Sequence, residues 1–238
     1  MLMFYFFQRN LLYYPTSDIE VPGLQTIYFD HDGLTLQGWV INPGRSKALL
    51  YFGGNSELIS DNAILLKTLL QSYTIYLVNY RGYGASHGNP SESALLTDAR
   101  FLYDSVSKNH SEVSALGRSL GTGVAVHLAS ERPLEKLALL TPYDSIAEVA
   151  QHHYPVFPAR YLVKDRFDSA KIAPNITIPV LIVAAKQDLV VPEAHAIRLR
   201  NHLTSALVTY LSIEGAAHND ITGYLEYHEG LSIFFDEH

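Results

Sequence analysis

Apolar and polar residues follow an approximate period of two through LQTIYFD (Leu24 to Asp30) and LTLQGWVIN (Leu34 to Asn42). Successive side chains of an extended chain point to opposite faces, so a period of two predicts two half-buried strands. His31, Asp32 and Gly33 between them form a turn signal, and the pair reads as a hairpin. The pattern then changes. KALLYFGGN, from Lys47, is a short unbroken apolar run ending in glycines, as expected of a strand buried on both faces. A helical face follows, with Ile59, Ala63, Leu66, Leu69 and Leu70 on one side. Further strands are expected over 73–80, 112–117, 136–142, 178–185 and 206–213, and helices over 91–107, 120–130, 192–203 and 221–235. Strands alternating with long helices mean an α/β fold with a mostly parallel sheet and helices on both faces. The opening hairpin becomes its antiparallel edge.

Residues 143–175 break this rhythm and carry Pro155, Pro158 and Pro174. They read as a small helical, cap-like excursion over the sheet, not as a second domain, so residues 1–238 form a single domain. No repeat or low-complexity tract interrupts it. The apolar share of 47% is ample for a buried core. A formal charge of −7 and the absence of a Lys/Arg cluster argue against nucleic-acid binding. The chain has no cysteine, which excludes disulfides, thiolate catalysis and Cys-based metal sites. Residues 1–7, MLMFYFF, are wholly apolar, but a bilayer span takes about 20 residues. They also lack the charged n-region and cleavage site of a signal peptide. They are expected to pack on the domain or to give peripheral membrane contact as an interfacial foothold. The location is read as cytoplasmic, with that foothold as the candidate membrane association; the oligomeric state stays open.

The chemistry is concentrated in VSALGRSLGTGVAVHLAS, from Val113 to Ser130. Ser119 stands between Gly117 and Gly121, where a strand gives way to a helix. A direct strand-to-helix turn is sharp and strains its central residue, so the positions two before and two after must be small. The serine hydroxyl is thereby held at the carboxyl end of the sheet, where α/β folds place their sites. The amide of Leu120 opens the helix and is a candidate oxyanion donor. The motif alone is weak, arising by chance in roughly one chain of this length in twelve; its setting strengthens it. A dinucleotide fingerprint and a P-loop both fail for lack of further glycines or a Gly-Lys-Ser/Thr.

A serine needs a base, and the base an orienting acid, in the chain order Ser, Asp or Glu, His. Asp188 falls just past the strand IPVLIVAA, and His218 lies in a small-residue loop after the last strand. The rivals fit less well: His195, His202 and His228 lie within helices, and Glu193 and Glu214 miss the bend. His152 and His153 are adjacent and make a poor metal pair, so no metal or other cofactor is expected. A second oxyanion donor should come from YFGGNSE, where Gly53 and Gly54 allow close approach and the Asn55 amide is the candidate. Tyr143, Tyr154, Phe157 and Tyr161 are candidates to line an apolar acyl groove, or to pack the excursion onto the sheet.

Together these residues resemble the serine α/β-hydrolase superfamily. The chain is similar to its small, nearly lidless abhydrolase-domain branch, which includes acyl-protein thioesterases and esterase relatives. FQRNLLYYPT, YRGYGASHGNPSE, TPYDSI and YPVFPARYLVKDRFDS carry that likeness over nearly the whole chain. The resemblance implies an eight-stranded sheet, a Ser119–His218–Asp188 triad, and cofactor-free hydrolysis of an ester or thioester. The substrate classes are an acyl lipid, an acylated protein or a small ester. A peptidase or amidase on the same triad, and a non-catalytic binding protein keeping the fold, are the alternatives. Two departures stand out: Gly53 replaces the histidine of the usual His-Gly-Asn loop, and the usual N-terminal anchor is reduced to seven residues.

Overall fold

The computed structural model describes residues 8–236. The N-terminal foothold read into residues 1–7 lies outside them. Eight strands form one sheet: β1 (Gln25–His31), β2 (Leu34–Ile41), β3 (Lys47–Phe52), β4 (Tyr73–Val78), β5 (Glu112–Arg118), β6 (Leu137–Leu140), β7 (Val180–Ala185) and β8 (Val208–Ile213). Their spatial order is β1-β2-β4-β3-β5-β6-β7-β8. The β1–β2 hairpin is antiparallel and closes on the pair His31↔Leu34. Asp32 and Gly33 both take positive φ, 53° and 75°, the left-handed pair that a two-residue hairpin turn requires. β2 runs antiparallel to β4, and every later pairing is parallel.

The helices are α1 (Ala63–Leu69), α2 (Glu92–Val106), α3 (Leu120–Glu131), α4 (Ile146–His153), α5 (Ala159–Leu162), α6 (Ser169–Ile172), α7 (Glu193–His202) and α8 (Leu225–Asp236). The unbroken apolar strands are explained by two cores, one on each face. Ala48, Leu50 and Phe52 of β3 face one core, with Val124 and Leu128 of α3. Leu49 and Tyr51 face the other, with Leu66 of α1 and Leu231 of α8. α3 lies centrally, which is why its apolar positions run almost all round: Leu120, Val124, Ala125, Val126 and Leu128 are all buried.

Two expected helices are split. Residues 59–62 form a 3-10 turn before α1 begins. Asn62 lies at the junction, and its side chain turns back to donate to Glu57 and to the Ile59 carbonyl. Residues 221–223 likewise form a 3-10 turn, and Tyr224 is extended (ψ 138°) before α8 begins. Residues 143–175 hold α4, α5 and α6 between β6 and β7. Among the described residues, no helix is long and apolar enough to cross a membrane.

Candidate active site

Ser119 sits at the junction of β5 and α3 with φ +48° and ψ −115°, a region that non-glycine residues rarely adopt. The flanking glycines are sterically obligatory. A Cβ on Gly117 would lie 2.8 Å from Thr122 Cα, and one on Gly121 would run into the Phe52 carbonyl. The bend therefore closes only with small residues at both places.

The structure brings Ser119, His218 and Asp188 into one hydrogen-bonded line. Ser119 Oγ lies 2.9 Å from His218 Nε2, and His218 Nδ1 lies 2.6 Å from Asp188 Oδ2. An ionised carboxylate only accepts, so Nδ1 carries the proton and Nε2 is left to accept from the serine hydroxyl. Asp188 is fixed from its other oxygen, since Oδ1 accepts the amides of Val190 (2.8 Å) and Val191 (2.7 Å). Asp188 and His218 are both buried. The rivals lie elsewhere: His195 is fully buried against Asp144 (Nδ1···Oδ1 2.6 Å), and His228 bonds the Thr222 carbonyl. Among the described residues, no group of His, Cys, Asp or Glu side chains is arranged to hold a metal ion.

The loop carrying Gly54 and Asn55 approaches Ser119 closely; a Cβ on Gly54 would stand 3.6 Å from Ser119 Cβ. Leu120 is the first residue of α3, where an amide has no acceptor within the helix. Leu120 and Asn55 each directly follow one of the two residues in this close approach.

What braces the loop is a set of residues that sequence reasoning missed. The Glu57 carboxylate accepts from Tyr51 Oη (2.7 Å), Asn62 Nδ2 (2.7 Å), Arg118 Nη1 (2.9 Å) and the Gly54 amide. Glu57 and Arg118 are largely buried, with side chains 9% and 14% exposed. Burial opposes the Arg118 charge, yet Glu57 and Tyr51 outweigh it and hold the guanidinium above its ordinary value. Tyr80 donates to the Gly53 carbonyl at 2.8 Å. Asn55 Oδ1 accepts from Tyr83 Oη and from the Tyr14 amide, each at 2.9 Å. Burial pushes the Tyr80 hydroxyl well above its usual value, so it stays a donor. A side chain at position 53 would collide with Ile59 and approach Glu57 Oε2 to 3.2 Å. Glu57 thus occupies space that a residue larger than Gly53 would claim.

The aromatic candidates divide. Tyr143 is no cleft residue: it is 1% exposed and donates to the Leu120 carbonyl at 3.0 Å. Its hydroxyl fits a slot left by Gly123, where a Cβ would strike it. Tyr154 and Phe157 instead line a cavity of about 380 Å³ between α4–α5 and residues 8–12. Tyr161 is exposed.

No protein-family model matches the chain. Relatives and solved structures do. The chain is 33% identical over 233 residues to the uncharacterized protein Rv2307c of Mycobacterium tuberculosis, covering 90% of this chain and 81% of that one. It is 34% identical over 167 residues to the lysophosphatidylserine lipase ABHD12 of Danio rerio, covering 60% of this chain and 44% of that one. The esterase Pf2001 of Pyrococcus furiosus superposes with a TM-score of 0.73 at 16% identity, covering 93% and 97% of the two chains. The chain has the α/β-hydrolase fold. The eight-stranded sheet with its antiparallel edge is that fold.

Proposed function

We propose that the protein is a serine hydrolase that cleaves a carboxylic ester or thioester through an acyl-enzyme on Ser119. The observation that carries this reading is the line from Ser119 Oγ through His218 (2.9 Å and 2.6 Å) to an Asp188 pinned by two amides. In this mechanism Ser119 Oγ attacks the carbonyl carbon while His218 Nε2 takes its proton. Asp188 keeps the imidazole in the right tautomer and stabilises its positive form. The Leu120 and Asn55 amides hold the oxyanion, in a loop fixed before the reaction starts. The C–O or C–S bond then breaks as His218 returns the proton to the leaving group. A water repeats the sequence on the acyl-enzyme, releasing the acid and restoring the serine.

Two observations favour this over a retired catalyst. The three side chains are already within hydrogen-bonding distance of one another. The loop that lacks the family's histidine is braced by Glu57, Tyr80 and Tyr83 instead. The name of one relative, a lysophosphatidylserine lipase, adds weight to a lipid ester as substrate.

The test is a fluorophosphonate probe read by intact mass, with Ser119→Ala alongside. The parent alone should label stoichiometrically, and the variant should lose ester turnover by about 10⁴–10⁶-fold. Retention of most turnover by Ser119→Ala refutes the assignment.

A further inference from the structure

The cavity beside α4 and α5 has walls of Leu11, Leu12, Ile146, Ala150, Phe157 and Leu162. The polar groups at its edge neutralise one another. Arg9 forks onto Asp165 (Nε to Oδ2 2.9 Å, Nη2 to Oδ1 3.0 Å), and the Tyr13 hydroxyl donates to the same carboxylate at 3.0 Å. Gln8 donates to the Leu162 carbonyl at 3.2 Å and accepts the Lys164 amide at 2.6 Å. These bonds staple residues 8–13 to the excursion and close one side of the cavity. An ionic ligand would meet no unpartnered counter-charge among the described lining residues, whereas hydrocarbon would meet mostly apolar surface.

Both walls run into the segments that carry the oxyanion donors. Two residues past Leu12, the Tyr14 amide donates to Asn55 Oδ1 at 2.9 Å. Three residues before Ile146, the Tyr143 hydroxyl donates to the Leu120 carbonyl at 3.0 Å. The far end of α4 is tied to the loop after Asp188, where His153 Nε2 donates to the Val190 carbonyl at 2.8 Å. The cavity walls are therefore tied by hydrogen bonds to the segments around Ser119.

We propose that this cavity seats the hydrocarbon chain of the acyl group that Ser119 takes up. The substrates are then esters or thioesters of aliphatic acids long enough to enter it, in preference to acetates or short polar acids. This rests on the ester-hydrolase reading above. Each methylene that leaves water for the cavity should raise kcat/KM about fourfold, until the chain outgrows the space.

The test is a series of p-nitrophenyl esters from acetate to decanoate, measured on the parent, on Ala150→Trp and on Leu162→Trp. An indole at either wall takes up part of the cavity, and neither position belongs to the Ser119–His218–Asp188 line. The parent should climb with chain length, and the octanoate-to-acetate ratio should fall by at least about tenfold in the variants. Acetate turnover and fluorophosphonate labelling should persist there, which shows that the variants are folded. A flat parent profile, or an unchanged ratio in both variants, overturns the proposal. A preference that appears only after residues 1–7 are deleted assigns the cavity to the chain's own N-terminus and also overturns it. A parent that neither labels nor turns over any ester is a different result, because it removes the hydrolase reading and this inference with it.

Discussion

Replacing Glu57 with glutamine removes one charge and keeps the side chain's shape. The carboxylate accepts from Tyr51, Asn62 and Arg118 at 2.7, 2.7 and 2.9 Å, and also from the Gly54 amide. An amide has a single oxygen. With that oxygen toward Tyr51, Asn62 and Arg118, the NH₂ group faces the Gly54 N–H. Turned the other way, three donors lose their acceptor. Either arrangement leaves a buried donor unpaired, at about 1–3 kcal/mol. Arg118, with its side chain 14% exposed, also loses its counter-charge. One-sided removal of a buried ion pair costs about 3–5 kcal/mol. Because the two effects share Arg118 they do not add in full, and a net loss near 4 kcal/mol corresponds to roughly 10 °C in Tm for a chain of this size. The functional loss is separate. Gly54 no longer fixes the peptide leading into the Asn55 amide, the oxyanion donor proposed above, and loss of one such donor lowers kcat about 10²–10³-fold. The expected outcome is therefore kcat down about 10²-fold, KM within about threefold, and Tm down. Steady-state kinetics on a p-nitrophenyl ester beside a thermal scan reads all three. Adding Arg118→Met removes the orphaned cation and should return part of the Tm without returning kcat. A Tm loss with kcat intact would show that Glu57 stabilises the fold and nothing more.

Two further outcomes follow from the packing. Gly121→Ala drives a Cβ into the Phe52 carbonyl and to 2.7 Å from the Gly53 carbonyl, so it should lower Tm far more than Gly223→Ala, where nothing lies within 4 Å; equal Tm values in thermal scans would remove the steric argument. Asp144 is buried beside His195 (2.6 Å) and Arg198 (2.5 Å). Burial pushes its carboxyl up, but these hydrogen bonds outweigh burial and hold it below the usual value of 3.8. A lowered folded-state value means that its stabilisation is complete above pH 3.8 and is lost as the pH falls through that lower value. Asp144→Asn should therefore cost about 3 kcal/mol near neutrality, with the gap from the parent narrowing in acid; a gap that widens in acid sinks this reading.

The sheet was legible because burial on both faces leaves a plain mark. β3, β6 and β7 are apolar runs of a length that suits a strand, and the cores on either side account for every apolar position in them. Ser119, Asp188 and His218 were legible for a related reason: each stands just past a strand end, and the parallel sheet places those ends on one edge. The helix breaks at Asn62 and Tyr224 were not, since a side chain turning back on Glu57 and one extended residue leave no change in apolar period.

Tyr143 shows where composition leaves two readings open. An aromatic residue after β6 reads equally as cleft lining or as packing for the excursion, and the missing side chain of Gly123 makes a slot that decides for packing. That slot depends on two residues 20 apart, and neither carries a local signal. The bracing of the Asn55 loop is hidden in the same way, because Glu57 reaches Arg118 across 61 positions and Asn55 reaches Tyr83 across 28. In sequence, Gly53 alone looks like a loss, because the histidine usual in the family the chain resembles is gone. In space, Gly53 and Glu57 are one feature. A larger residue at 53 would collide with Ile59 and crowd the carboxylate. That carboxylate in turn grips the Gly54 amide and the arginine next to Ser119. The glycine makes room for the brace, so Gly53→His and Glu57→Gln should damage the same loop from opposite sides.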